Sequence, residues 1–390
     1  MNKRIEKSIQ FLWILTLNMV VVFILVGCGA NSSERASANE VKNGQSNTEG
    51  IVRSASTVVK DSKTNRVITS QDSFQIGTYI KISIYSDKEV PAIQFDRIFE
   101  EIDQFEKLIS KNITTSEVSM INENAGKAPV KVSSDIFELI QMGIQYGEIS
   151  SGGFDISIGP LVDLWGIGSE GAHVPTESEI QEALSKIDYR NILLNETDQT
   201  VFLKEEGMSL DLGAIAKGYI ADQVKTLIQE EGHQSAIINL GGNVLTVGHK
   251  PNSEAWSIGV RDPKGENKDI VGILKLQDNS IVSSGTYERF FVEDGKRYHH
   301  ILNPKTGYPE ENHLQSVSII SEKSVVGDAL STTVFVMGLQ AGYAYVESLD
   351  QVDALFIMED GSIYGTSGTK SVFSLTNNNY NLKEFVFSTK

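Results

Sequence analysis

Cysteine is almost absent from this 390-residue chain. Cys28 is the only one, so no disulfide can form within the chain and no zinc site can be built from paired cysteines. Basic residues are also in short supply, 34 against 51 acidic ones, and the formal charge of −17 argues against a nucleic-acid binder. A single nucleotide stays possible, because one or two local Lys or Arg side chains suffice to hold it. A Walker phosphate loop, a Gly-x-Ser-x-Gly elbow and any internal repeat are missing too. Ser284-Gly285 alone is too common a pair to name a serine hydrolase.

What is present begins at the N-terminus. Lys3, Arg4 and Lys7 precede an apolar run from about Phe11 to Val26, which ends in Leu25-Val26-Gly27-Cys28. A basic start, an apolar centre and small residues before a cut read as a secretion signal over residues 1–27. The Leu-Val-Gly-Cys ending resembles a bacterial lipobox, which implies cleavage before Cys28 and lipid on its thiol. The competing reading is an uncleaved anchor. The lipoprotein reading places the mature chain on the outer face of a cell membrane. Residues 28–70 are rich in Ser, Asn, Lys, Thr and Glu, which predicts a flexible tether, with the folded domain over 71–390.

The domain turns on residues 210–222, Leu-Asp-Leu-Gly-Ala-Ile-Ala-Lys-Gly-Tyr-Ile-Ala-Asp. Ile220, Val224, Leu227 and Ile228 recur at helical spacing and Gly232 closes the element. A helix entered through Gly and Ala leaves its first amides bare. With Lys217 and the helix dipole, they favour a phosphate or other anion. Asp211 beside a phosphate suits a sugar hydroxyl, a ring N–H or a metal. The plainer alternative is a tight strand-to-helix join whose glycines allow close packing.

Elsewhere, Tyr79 to Tyr85 alternates as a strand, and Pro91 opens a helix with Phe95, Ile98, Phe99, Ile102 and Phe105 on one stripe. Residues 110–126 read as a polar loop, and a second helix is expected near 135–147. Gly153-Phe154-Asp155 either offers a ring and a carboxylate to a ligand or puts Phe154 in the core and Asp155 in a turn. Thr176 and Glu179 form a capping box for a surface helix over 177–187. Asp294-Gly295 signals a hairpin whose second arm delivers His299 and His300. Alternation points one imidazole inward and the other outward without saying which. Asp328 and Thr332 are four apart on the last strong helix, where a carboxylate and a hydroxyl suit a hard cation such as Mg²⁺. Read alone, the pair is better explained as an N-cap Asp with a Thr bonded back to its own turn.

Taken in order, Ile76-Gly77-Thr78, then residues 116–122, 153–166, 210–222, 237–243, 283–289, 300–309 and 328–338 closely resemble the ApbE family, the FAD:protein FMN transferases. The resemblance implies an α+β fold with FAD in a cleft between two intimately joined sheet-and-helix halves. It places Ile76, Gly153, Phe154 and Asp155 along the flavin or adenosine pocket. Asp211 and Lys217 then contact the nucleotide, and Leu302 lies at a backbone contact. The Ala214 carbonyl, Asp328 and Thr332 hold Mg²⁺, and His300 is the base. The implied activity moves FMN from FAD to a threonine of an exported or membrane redox protein, and AMP departs. Three positions depart from the family pattern. Asn112 stands at an aromatic position, Asn303 where many members have Asp, and Ser331 where some have a carboxylate, which predicts weaker Mg²⁺ binding. The rival readings are an FAD pyrophosphatase, with water as nucleophile, and a flavin-binding lipoprotein without catalysis. A general solute-binding lipoprotein fits the motif series far less well.

Overall fold

The computed structural model describes residues 52–386 except 63, 267 and 268. The expected signal segment, Cys28 and the first part of the tether lie outside them. Eight helices are described: α1 (Ala92–Ile109), α2 (Glu117–Glu123), α3 (Ser134–Ile149), α4 (Gly159–Trp165), α5 (Glu177–Leu184), α6 (Ala216–Glu230), α7 (Ser324–Glu347) and α8 (Thr369–Val372). With the sheets they make an α+β fold, as expected.

The centre is an eleven-stranded sheet. Its alternation decides the layering. Ile80, Ile82, Ile84, Ile238, Val317, Ile319 and Phe356 point to one face, where they pack with α1, α3, α6 and α7. Tyr85, Ile237, Ile320, Leu355 and Ile357 point to the other, against the small sheet Trp256–Arg261, Ile270–Leu276 and Phe373–Leu375. One-residue alternation of apolar side chains on both faces is what a strand buried between two layers requires. A third, smaller cluster joins Leu161 and Trp165 of α4, Ile180 of α5 and Leu302, beside the hairpin Phe290–Glu293 and Lys296–His299.

The tether expected over 28–70 gives way to sheet sooner than that. Val52–Arg53 and Thr57–Lys60 pair along the strand Val67–Gln75. The inward side chains of that strand are Thr69, Gln71, Ser73 and Gln75, all buried. Each is hydrogen-bonded: Val90 N–H donates to Thr69 Oγ1, Gln71 donates to the Ser54 carbonyl, Ser73 to Gln75, and Gln75 to the Phe99 carbonyl. A core-facing row made of polar residues gives no hydropathy signal, so the strand reads as tether from sequence. Residues 110–126 likewise hold a short helix, α2, capped by Ser116, whose Oγ accepts from Ser119 N–H.

The helix expected from Gly327 to Gly338 is longer. α7 starts at Ser324 and runs to Glu347, with a break at Gly338, whose φ of 76° is outside the helical range. By length and apolarity it could cross a membrane, but here it is the buried core helix.

Candidate active site

α6 and α7 meet at their N-termini, and the junction is built from two carboxylates. Asp222 of α6 accepts from Ser324 N–H (2.8 Å) and Val325 N–H (2.9 Å), the opening amides of α7. In return Asp328 Oδ2 accepts from Gly218 N–H (2.9 Å), in the first turn of α6. Each helix therefore supplies the anion that the positive end of the other favours. The contact is close because residue 218 is glycine: a Cβ there would lie 2.6 Å from Val325 Cα. One expectation is corrected: Asp328 is not the N-cap of its own helix but accepts from one opening amide of its neighbour, Gly218 N–H.

This arrangement leaves Asp328 Oδ1 facing Lys217, whose Nζ is 3.4 Å away and also donates to the Gly213 carbonyl (3.0 Å). Thr332, one turn along α7, presents its hydroxyl beside Ser284 Oγ (3.2 Å). Ser284 also bonds Ser331 Oγ (2.8 Å), and Ser331 donates to the Asp328 carbonyl (2.9 Å), so Ser331 is held inside the helix junction. Ala214 lies just ahead of Ile215, the N-cap of α6, so its carbonyl falls outside the helix's own hydrogen-bond ladder, while Gly218 N–H, one of the helix's orphan amides, is taken by Asp328. One carboxylate, one hydroxyl and one carbonyl make a hard, low-charge oxygen set. Such a set fits Mg²⁺, which keeps water and substrate phosphate in its remaining positions. It also explains why, among the described residues, no group of three His, Cys, Asp or Glu side chains marks a metal site.

The structure separates the two histidines. His299 is buried at 6% exposure, and both its ring nitrogens are engaged, one donating to the Glu310 carbonyl (3.0 Å) and one accepting from Ile301 N–H (3.3 Å). It is a packing residue, edge-on to Phe335. His300 is half-buried. Its Nδ1 lies 3.3 Å from the Arg289 carbonyl, which can only accept, so Nδ1 carries the hydrogen and Nε2 keeps a lone pair. Burial, then the charges of Arg289, His299 and Lys217, push the imidazole pKa down to about 3. The ring is thus neutral at physiological pH and lies in the field of Lys217. Asn303 does not orient it. Asn303 Oδ1 accepts from Lys305 N–H (2.8 Å) and its amide donates to Glu310, which fixes the 303–308 turn. The departure from Asp at this position therefore leaves the imidazole untouched.

The other predicted residues divide. Asp211 Oδ1 accepts from Gly213 N–H (2.9 Å), and its Oδ2 is 2.9 Å from Lys111 Nζ. Lys111 also meets Asp163 at 2.6 Å. Burial pulls the Lys111 pKa down, but Asp211 and Asp163 outweigh it and the net shift is upward. Ile76 sits with Gly77 in the two-residue turn before Thr78–Ser86, at φ of 48°. That is unusual for a β-branched side chain and stores about 1 kcal/mol or more. Asn112 is exposed in the loop after α1, next to Lys111. Leu302 is buried and bridges Pro309 through its backbone.

Gly153 and Phe154 lie in or against the main core, with Phe154 edge-on to Tyr146. Asp155 is buried and fully engaged: Oδ1 accepts from Ser157 N–H and Oγ–H, and Oδ2 from Tyr189 N–H. Burial raises its pKa. For this trio the plainer of the two readings is the one observed, a core ring beside a turn carboxylate.

Lys111, Asp222, Ser284, Glu288 and Arg289 were not singled out by sequence. Glu288 pairs with Arg261 (3.6 Å), and burial raises its pKa against the pull of Arg261, Lys217 and Arg289. A cavity of about 880 Å³ opens beside this group, lined by Arg261, Thr286, Tyr287, Phe290, Arg297 and His299 among others. It includes none of Asp211, Lys217, Asp328 or Thr332, so its size does not make it the reaction site.

Residues 76–356 match the family model described as the ApbE family. The chain belongs to the ApbE family. It is 40% identical over 316 residues to a protein of Klebsiella pneumoniae (strain 342) named FAD:protein FMN transferase, covering 81% of this chain and 97% of that one. A protein of the same name from Treponema pallidum (strain Nichols) is 36% identical, with 77% of this chain and 87% of the relative covered. Among solved structures, the ApbE protein of Thermotoga maritima superposes with a TM-score of 0.71 at 34% identity, covering 78% of this chain and 98% of that one. The flavin transferase ApbE of Vibrio cholerae gives 0.70 at 25% identity, over 79% and 99%.

Proposed function

We propose that this ApbE-family chain is an FAD:protein FMN transferase that uses Mg²⁺ and joins FMN to a threonine hydroxyl of exported or membrane redox proteins. The observation that carries the reading is a neutral imidazole, His300, with Nε2 open, set in the field of the Lys217–Asp328 pair (3.4 Å). The Nε2 lone pair takes the proton of the threonine hydroxyl. The alkoxide oxygen attacks the FMN-side phosphorus of FAD, the bond from that phosphorus to the AMP oxygen breaks, and AMP leaves. Arg289 keeps the ring in the tautomer that accepts on Nε2. Lys217 lies where an ammonium can follow negative charge on the diphosphate. When bound by the Ala214 carbonyl, Asp328 and Thr332, Mg²⁺ supplies Lewis-acid neutralisation of that charge. Asp211, held by Lys111 and Gly213, offers a carboxylate to a hydroxyl or ring N–H of the nucleotide.

The reading extends to place. A lipobox before Cys28 would anchor the chain at the outer face of a bacterial membrane, where acceptors carrying covalent flavin do not lose it by diffusion. Metabolic labelling with a lipid precursor tests this, and label that survives Cys28→Ala refutes it.

The central experiment mixes the chain, FAD, Mg²⁺ and candidate exported proteins and reads covalent FMN on the acceptor by mass. Labelling that vanishes in His300→Ala is the expected result, and full-rate labelling in that variant removes the proposed base. Free FMN with no labelled protein, across good candidate acceptors, would favour the pyrophosphatase. Tight flavin binding without any turnover would favour a binding lipoprotein.

A further inference from the structure

Lys217 holds an ambiguous position. Its ammonium is 3.4 Å from Asp328 Oδ1, the same oxygen that is left to face a metal once Oδ2 is held by Gly218 N–H. The Asp328 side chain is only 5% exposed, against 30% for Lys217. A buried carboxylate needs a countercharge in its immediate surroundings, and among the described residues this ammonium is the one within ion-pair distance. A divalent cation arriving at Oδ1 would face a like charge a few ångströms away, in a place with little water to screen it. Lys217, however, sits on a flexible four-carbon stem and, besides Asp328, donates to the Gly213 carbonyl one turn back. It can swing, whereas Asp328 cannot.

We propose that Lys217 is a resident counter-ion that competes with the divalent metal for Asp328 and gives way fully only when a substrate diphosphate draws the ammonium across. The inference rests on reading this site as the metal and diphosphate site. Metal and nucleotide are then linked: the metal alone binds against the ammonium, and the diphosphate removes that opposition by offering Lys217 a better partner. By reciprocity the metal tightens the nucleotide by the same factor. An exported enzyme built this way holds little metal until FAD is present.

The test measures Mn²⁺ binding to the whole chain by electron paramagnetic resonance, without nucleotide, at pH 8. Lys217→Met should tighten Mn²⁺ about tenfold or more, where tenfold corresponds to ~1.4 kcal/mol. Lys217→Arg, which keeps the charge, should stay near the parent chain. ADP, a diphosphate without flavin, should raise Mn²⁺ affinity in the parent chain by a factor that falls in Lys217→Met. Unchanged or weaker Mn²⁺ binding in Lys217→Met, with binding abolished in Asp328→Asn, would overturn the counter-ion role and leave the metal site standing. Mn²⁺ binding unaffected in Asp328→Asn would remove the metal site itself. Thermal melting guards against misfolding: Lys217→Met should melt lower than the parent without metal and gain more from adding it, and Lys217→Gln serves if the Met variant does not fold.

Discussion

Gly218→Ala is the most informative single change in the protein, because it adds one methyl group at the point where α6 touches α7. The new Cβ would lie 2.6 Å from Val325 Cα and closer still to the Ser324 carbonyl oxygen, both backbone, whereas ordinary contact begins at 3.4 Å. The helices must separate locally by about 1.0 Å to carry the tighter contact, the one with the Ser324 oxygen, out to 3.4 Å. Overpacking of this kind costs roughly 1–3 kcal/mol. The same movement stretches the 2.9 Å bond from Gly218 N–H to Asp328 past hydrogen-bonding range. Losing a charge-assisted bond adds about 1.5–3 kcal/mol. Ala is a better helix former than Gly by roughly 1 kcal/mol, which offsets part of the loss. The net is about 1.5–5 kcal/mol, or a fall of roughly 2–8 °C in melting temperature for a domain of about 320 residues. Activity should fall further than stability, because Asp328 moves relative to Lys217, and a displacement near 1 Å at a reacting centre costs roughly a hundredfold. Differential scanning fluorimetry and gel detection of flavin-labelled acceptor read the two effects separately. Gly171→Ala is the control, with only the Ser169 hydroxyl at an ordinary 3.7 Å. A Gly218→Ala chain that melts within about 1 °C of the parent and labels acceptor at full rate would refute the account of this junction.

Four further outcomes are expected. His300→Ala should cut labelling by roughly a hundredfold or more while the fold is kept, as circular dichroism would show. Because the folded pKa of His300 lies near 3, below the ordinary imidazole value, the stability it contributes is present above about pH 6.5 and is lost as pH falls toward 3; His300→Gln should flatten the slope of melting temperature against pH in that window. In the same sense kcat/KM should show no acid limb at pH 6.5, and Arg289→Gln, which removes one of the charges on the ring, should move the limb upward. Lys111→Met should cost between ~1 and ~3 kcal/mol, between the exposed and buried limits for ion pairs, and should weaken FAD binding in a fluorescence titration as Asp211 loses its partner.

Much of this architecture is legible in the sequence, and the reasons are local. The stripe on α1, the capping box of α5 and the Asp294-Gly295 turn announce themselves through spacing that only one structure satisfies. Asp328 and Thr332 share a face because they are four apart. Other features are set by what lies across space. Which of His299 and His300 is free depends on the Glu310 and Arg289 carbonyls, eleven residues away on either side. Lys111 gains meaning only when Asp163 and Asp211, 52 and 100 positions on, close around it. Asp155 fits a ligand carboxylate and a turn equally until Tyr189 N–H is seen to occupy it. The strand Val67–Gln75 misleads for another reason: its inward residues are polar and hydrogen-bonded, mostly to neighbouring segments, so hydropathy describes it as solvent-facing.

The reciprocal bonding of α6 and α7 has a consequence for anyone recombining this protein with its relatives. Asp222 lies in one helix and Asp328 in the other, more than a hundred residues apart, yet each accepts from the opening amides of its neighbour. A chimera with its crossover anywhere between them inherits one member from each parent and works only if both parents carry the same lock. The two segments are best treated as a single heritable unit, to be exchanged together or left alone.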